Sequence, residues 1–422
     1  MSTTPHETTE LKQKPPLPLW RQRDYVLLWS GQTISSVGGT ISLVAFPLLV
    51  LTITNSPLAA GIAGMLRQFP SVLSLVAGAL VDRWNRKYVM IVCDSGRALS
   101  LASIPLALAL GHLTVWQLYV NAFLEGTLLV FFGIAYASSL GQVVVSKQLP
   151  AAMAQEEVVE GVTGLLGPGL AGPLFALARM LPFVTDAISY GVSIVTLLLI
   201  RTPFQTPRVQ QRRHLLVEIR EGMVWMWQQP VIRAMNLMNV AAALVTPGSM
   251  LVVIVVARQH AASDAAIGLI FACGGVGAIL GSLLAPLTQR FLTVGWAIVL
   301  NRWMFALLWP GYALIGQPLW LGAVEFSIGF VDPIEDVSYF SYRLALIPDE
   351  LRGRVISACR IFTAVTNPLG QLLTGLLLER YGTMPTILIG WAVLILVALA
   401  MTLYKPLRTA RYPVFRDEDR NF

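Results

Sequence analysis

The sequence predicts an all-α membrane protein of twelve transmembrane helices in two six-helix bundles. Three observations predict it. Of 422 residues, 55% are hydrophobic and only 13% are charged, too little charge to wet the surface of a soluble protein this size. The apolar residues fall in blocks long enough to cross a bilayer. The longest hydrophilic break, 201–233, lies mid-chain and divides the blocks six and six.

Taken in order, residues 1–24 read as a cytoplasmic tail, with Trp20, Arg21 and Arg23 as an interfacial collar. The tail lacks the apolar core of a signal peptide, so the first apolar run is expected to act as the insertion signal. Six runs follow, at 25–51, 58–81, 88–110, 115–145, 158–178 and 181–200, giving an N-terminal bundle over 25–200. After the central loop at 201–233, six more lie at 234–257, 265–287, 294–315, 319–344, 355–378 and 385–403, giving a C-terminal bundle over 234–404 and a cytoplasmic tail over 405–422. In the loop, Leu215, Leu216, Ile219 and Met223 recur at helical spacing opposite Glu218, Arg220 and Glu221, with Trp225 and Trp227 beyond. That pattern predicts an amphipathic helix on the cytoplasmic interface; a calmodulin-like partner site is the alternative.

Charge sets the orientation. With the N-terminus inside, the inside segments hold most of the lysines and arginines, whereas the outside segments hold Arg179, Arg258 and Arg380. Both termini are therefore expected in the cytoplasm, and the net charge of +7 faces one side of a membrane rather than nucleic acid. Cys93, Cys273 and Cys359 lie in apolar runs without metal-ligand spacing, and read as buried thiols. Gly-Lys-Ser/Thr occurs nowhere, which argues against direct ATP drive. The four histidines, His6, His112, His214 and His260, lie outside the runs or at their ends. The sequence thus points to no enzyme, no metal and no cofactor.

Residues 78–87, Gly-Ala-Leu-Val-Asp-Arg-Trp-Asn-Arg-Lys, are the densest charge cluster of the first half outside the tail. They predict a cytoplasmic hairpin between the second and third runs. Asn85 suits a positive-φ turn, and Asp82 is placed to accept from the N–H groups that start a neighbouring helix. Asp94 and Arg97, three apart in the third run, are placed to buttress it. The alternative is a charged turn that merely orients the hairpin. The segment resembles the signature loop of the major facilitator superfamily, roughly G-x-x-x-D-R-x-G-R-R/K. Gly78, Asp82, Arg83, Arg86 and Lys87 match it, and Asn85 stands where glycine is usual.

An internal repeat extends the resemblance. Asp82-Arg83 aligns with Gln289-Arg290 and Asp94 with Asn301, while Pro168 aligns with Pro368, in the order expected of two parallel halves. Within the superfamily the chain is similar to the bacterial branch of enterobactin and macrolide exporters. That similarity rests on Leu-Trp-Ser-Gly-Gln-Thr-Ile-Ser at 28–35, Thr-Asp-Ala-Ile-Ser-Tyr at 185–190 and Pro-Asp-Glu-Leu-Arg-Gly-Arg-Val at 348–355. Many relatives carry an acid just after Gly38, where this chain has Gly39, so that acid's role is absent or moved here. The resemblance implies the major facilitator fold and alternating access. It also implies a small-molecule substrate, protons and the lipid bilayer as partners. The sequence carries no strong dimerisation signal, since the small pair Gly277 and Gly281 can pack within the bundle, so a monomer is expected.

The tenth run carries Glu325, Asp332, Glu335 and Asp336. Glu325, Asp332, Asp336 and Arg343 share one helical stripe, with Glu335 off it. An acid facing lipid costs about 3 kcal/mol, so this stripe is expected to look into protein or a water-filled cavity. Arg360, Asn367 and Gln371 share a stripe of the eleventh run, at a depth that predicts an Arg360–Asp336 or Arg360–Glu335 ion pair. Asp332 and Glu325 are then left to titrate, with Glu125 as a further proton-coupling candidate. A purely structural ion network is the alternative. Gln32, Arg67, Asn121, Asn236, Asn239, Asn367 and Gln371 are candidates for the cavity lining. Gly167, Pro168 and Gly172 in the fifth run resemble the helix-kinking motif of proton-coupled drug exporters, and equally suit plain helix packing. The expected function is proton-driven export of a small organic molecule. An uptake symporter of the same fold and a transport-inactive sensor or scaffold are the rivals.

Overall fold

The structure is a computed structural model that describes residues 18–204, 215–291, 293–313 and 317–410. Every regular element among these residues is helical. The N-terminal half comprises α1 (Arg23–Thr54), α2 (Pro57–Gln68), α3 (Ser74–Val81), α4 (Arg86–Ala109), α5 (Val115–Val143), α6 (Leu149–Leu177) and α7 (Leu181–Leu199). After α8 (Leu215–Gln228), the C-terminal half comprises α9 (Pro230–Ala242), α10 (Ser249–Gln259), α11 (Asp264–Phe291), α12 (Val294–Leu308), α13 (Pro318–Leu346), α14 (Arg352–Tyr381) and α15 (Thr383–Leu403).

Nine helical stretches among the described residues are long and apolar enough to cross a membrane. The other three predicted runs are helical too, and each departs from that pattern for a visible reason. A 3-10 turn at Phe69–Leu73, entered at Pro70, splits the second run into α2 and α3. The ninth run is the short α12 followed by a 3-10 turn at Trp309–Tyr312. The tenth, α13, is long enough but carries four acids. The seventh run is also interrupted, at Thr246–Gly248, where Pro247 removes a backbone donor. Gln371 Nε2 donates to the Pro247 carbonyl at 2.6 Å, which ties α14 to the break.

Each half is a bundle. In the first, α1 packs on α6 and α7, and α4 on α5 and α7; in the second, α11 and α12 pack on α13, and α15 on α9 and α12. The halves meet along two seams, α6 against α11 and α2 against α14. Small residues let these backbones touch: a β-carbon at Gly61 would sit 2.8 Å from Gly375 Cα, and one at Gly172 would sit 2.7 Å from Gly268 N. The largest apolar core runs through both halves, from Ile41 and Leu48 to Val252, Phe305 and Leu394. Leu99, Leu106, Leu283 and Leu307 stand exposed on the outside of the bundles, as a lipid-facing belt requires.

Several sequence expectations are corrected. The fifth-run helix starts at Leu149 rather than at 158, because the polar residues 155–157 belong to the helix. Asn85 has φ −69°, not a positive value, and instead caps α4 by accepting from Lys87 N at 3.0 Å and Tyr88 N at 3.4 Å. The rest of the hairpin is a set of braces. Arg86 pairs with Asp82 at 3.1 Å and donates to the Ser138 carbonyl, while Lys87 Nζ donates to the Leu198 and Ile200 carbonyls that end α7. Arg83 is exposed, and a β-carbon at Gly78 would meet open space.

The amphipathic helix of the central loop forms as α8. It packs on α14 through Gly222, a Glu221–Arg354 pair at 2.6 Å, and Met226 against Cys359. Asp24 holds the start of the loop, accepting from Arg201 N, Thr202 N and the Thr202 hydroxyl. The side chains of Leu215, Leu216, Glu218, Gln289 and Arg290, and the tails and loop at 1–17, 205–214 and 411–422, lie outside the described residues.

Candidate functional site

A cavity of about 650 Å³ lies between the halves. Its walls come from α1 (Gln32, Gly39, Phe46), α2 (Ala60, Arg67), α4 (Arg97), α5 (Leu129), α6 (Glu156, Glu160), α10 (Met250, Leu251) and α14 (Asn367, Gln371). Most of the wall is apolar, with a few convergent polar groups, the usual composition of a small-molecule site. Of the predicted lining residues, Gln32, Arg67, Asn367 and Gln371 are in the wall. Asn121, Asn236 and Asn239 are not. Asn121 is buried inside the first bundle, between Ser100 and Ser103, and Asn236 is buried in the second.

The end of the bundle away from residues 18 and 410 is held shut by polar contacts across the halves. Glu379 of α14 sits on the N-terminus of α2, accepting from Ser56 Oγ at 2.9 Å and Leu58 N at 3.3 Å. Arg258 of α10 sits on the last turns of α1, donating to Thr52 Oγ1 at 2.8 Å and the Leu48 carbonyl at 3.3 Å. An acid therefore meets a helix N-terminus, the favourable pairing, while Arg258 ties α10 to the end region of α1 and also pairs with Asp264 at 3.3 Å. The Gly172–Gly268 crossing lies on the same side.

Each half buries one Arg–Glu pair between its third and fourth spans. In the first, Arg97 Nη2 and Nε contact Glu125 Oε1 at 2.8 and 2.9 Å; Tyr190 donates to the same oxygen at 3.0 Å, and its ring lies under the guanidinium at 4.2 Å. Asp94 is 3.8 Å from Arg97 and accepts from Ser193 at 2.6 Å. Asp94 and Arg97 thus belong to this buried network and do not buttress the Asp82 hairpin. They lie two to three turns inside α4, and the intervening helix separates them from its end.

In the second half, Glu335 pairs with Arg302 of α12, and Asn301 donates to the Val331 carbonyl. The predicted pairing of Arg360 with Glu335 or Asp336 is therefore corrected: Arg360 is exposed, and the nearer α12 supplies the cation. Glu325 accepts from Tyr312 Oη at 2.5 Å. Asp332 and Asp336 are exposed, and Asp336 lies within electrostatic range of Glu160 of the other half. Arg343 turns to the Tyr339 ring instead of completing the acidic stripe. The structure brings together Glu335, Asp332 and Asp336 around Arg302, but leaves Glu325 and Arg360 with other neighbours.

Glu156, Glu160, Arg302 and Tyr312 were not singled out by sequence, and Asp186 entered only as part of the 185–190 segment. Glu156 and Glu160 are four apart and share a face with Thr163, a spacing that marks one wet stripe of α6. Gly167 packs on Thr40 and Gly172 on Gly268, while α6 runs unbroken through Pro168 and Pro173. These contacts fit the packing reading of the motif.

Two helical bundles that enclose a substrate-sized cavity at their interface, wrapped in an apolar belt, define a multi-pass membrane transporter. The chain belongs to the MFS_3 family of transmembrane secretion effectors, whose family model matches residues 15–413. It is 28% identical to the multidrug efflux pump Tap of Mycolicibacterium fortuitum, over 84% of this chain and 89% of that protein. It is 21% identical to macrolide efflux protein A of Streptococcus pyogenes, over 92% and 97%. Among solved structures, the nucleoside transporter NupG matches with a TM-score of 0.73 at 11% identity, covering 92% of this chain and 99% of that one. A bacterial homologue of the lysosomal transporter Spinster, in an inward-facing and unoccupied conformation, matches at 0.72 and 14% identity, covering 92% and 99%. These two likenesses show the fold.

Proposed function

We propose that this protein is a proton-driven exporter of small organic molecules that works by alternating access, as a monomer, with both termini in the cytoplasm. The observation that carries the reading is the cavity. It is built by both halves, and cross-half contacts hold one end of the molecule shut. The open side is then the one carrying Arg83, Arg86, Lys87, Arg352 and Arg354, which the positive-inside rule assigns to the cytoplasm. The conformation is inward-facing, ready to load substrate from the cell. The halves, 25–200 and 234–404, rock about the cavity as units, with 201–233 as the tether.

The apolar wall of Leu43, Phe46, Leu129, Met250 and Leu251 suits an amphipathic molecule of drug size, and the efflux relatives support export over uptake. Buried acids beside the cavity supply groups that can exchange protons with it. The test is efflux in everted membrane vesicles under an imposed pH gradient, with a panel of fluorescent amphipathic drugs. Gradient-dependent accumulation in the vesicle lumen is expected. Flux in the opposite direction would make the protein an uptake symporter. No flux across the panel would favour a non-transport role.

A further inference from the structure

The first-half network is arranged as a switch. Arg97 lies between two carboxylates. It contacts Glu125 Oε1 twice, at 2.8 and 2.9 Å, and stands 3.8 Å from Asp94 Oδ1, beyond hydrogen-bond reach. Three carboxylate oxygens in this network, Glu125 Oε2, Asp94 Oδ1 and Asp186 Oδ2, are buried without a hydrogen-bond partner. A buried acceptor left without a donor is costly, so each oxygen favours an arrangement that brings it one. Glu125 Oε2 can escape that penalty by binding a proton, which removes the charge that lacks a donor. For Asp94 Oδ1 the donor is Arg97, once Arg97 is released.

Arg97 also touches the cavity, and does so beside a gap. It lines the wall next to Gly39 of α1, where a β-carbon would lie 3.9 Å from Arg97 Nη2 and 3.7 Å from Tyr190 Oη, ordinary contact distances. With no side chain at Gly39, the guanidinium borders the substrate space directly. The second-half pair has no such window, because neither Arg302 nor Glu335 lines the cavity.

We propose that Glu125 is the proton carrier of the transport cycle, and that Arg97 passes its charge state to the cavity by moving from Glu125 to Asp94. This rests on the proton-driven reading above. A proton from outside binds Glu125 Oε2 and removes its negative charge. Arg97 then closes on Asp94, which Ser193 holds on α7. Release of the proton to the cytoplasmic side restores the Arg97–Glu125 pair, so one proton crosses per switch and none is created or lost. The charged and titratable groups that face Glu125 are Arg97 and Asp94 from α4, Tyr190 and Asp186 from α7, and Arg67 from α2. Tyr190 steadies the oxygen that Arg97 leaves, and is a positioning residue.

The test compares native protein, Glu125→Gln, Glu125→Asp and the double variant Gly39→Asp/Glu125→Gln in everted vesicles. Each is read for pH-gradient stimulation of flux and for substrate exchange without a gradient. Glu125→Gln is expected to lose the stimulation while exchange persists. Glu125→Asp keeps a titratable group at altered reach, and is expected to retain stimulation with a displaced pH profile. A carboxylate at 39 meets Arg97 from its open side, so the double variant is expected to regain stimulation. Stimulation retained in Glu125→Gln overturns the proposal. So does an unmoved pH profile in Glu125→Asp, or loss of exchange in Glu125→Gln at native membrane levels. Absence of gradient-driven flux in the native chain overturns the proton-driven reading itself, and this assignment with it.

Discussion

Removing both latches at the closed end should open it by an amount the contacts allow one to work out. Glu379→Gln weakens the charge-assisted bonds from Ser56 and Leu58 N, and Arg258→Gln weakens those to Thr52 and the Leu48 carbonyl. Both charges are partly solvated, so each latch is worth only about 1 kcal/mol rather than the 2–3 of a buried charged bond. Together they bias the equilibrium by about 2 kcal/mol, or about 30-fold in the ratio of the two states. The reporter is Ala60→Cys in a chain whose Cys93, Cys273 and Cys359 are alanine. Ala60 lines the cavity and is buried from the closed end. Labelling by a membrane-impermeant maleimide added outside should speed up by about that factor in the double variant, and by about 5-fold in either single variant. Unchanged labelling in the double variant would refute the assignment of these contacts as the closing latches.

Other expectations follow from the packing and the buried pairs. Gly172→Val places atoms against the Gly268 backbone, which cannot yield as a side chain would. It should hold the seam apart at a cost of about 1–3 kcal/mol, seen as faster outside labelling of the same Ala60→Cys reporter. Arg302→Gln leaves Glu335 buried without its cation beside Asp332 and Asp336. It should cost about 3–5 kcal/mol of stability, whereas the apolar replacement of both Arg302 and Glu335 should cost far less; denaturation midpoints of the purified variants measure the difference. Lys87→Gln removes the cation from the carbonyls that end α7, and should lower stability by about 0.5–1 kcal/mol in the same measurement.

The architecture was legible because membrane helices announce themselves by composition. Each of the twelve apolar runs contains helix, and charge in the loops marked the hairpins. Boundaries went wrong where a helix carries polar residues on a wet face. The start of α6 was missed because Gln155, Glu156 and Glu157 look like loop until the cavity beside them is seen. The site was half legible. Helical stripes grouped Asn367 with Gln371 on one face of α14, and both line the cavity. They failed for Arg360, because a stripe gives the direction of a side chain only relative to its own helix. Which neighbour it faces depends on how α12, α13 and α14 pack, and α12 supplied the partner. The same limit hid the Arg97–Glu125 pair. Both residues were singled out, but in different roles, and only the α4–α5 contact joins them.

The measurement that tests the central claim most directly is proton movement driven by substrate. Purified protein is placed in sealed vesicles with a pH-sensitive dye inside and no starting pH gradient. A substrate found in the everted-vesicle panel is then added outside. If the protein exchanges substrate for protons through the cavity between its halves, the substrate gradient should drive protons out and the lumen should turn alkaline with the native chain and stay unchanged with Glu125→Gln. Substrate uptake with no change in lumen pH would contradict proton-driven antiport.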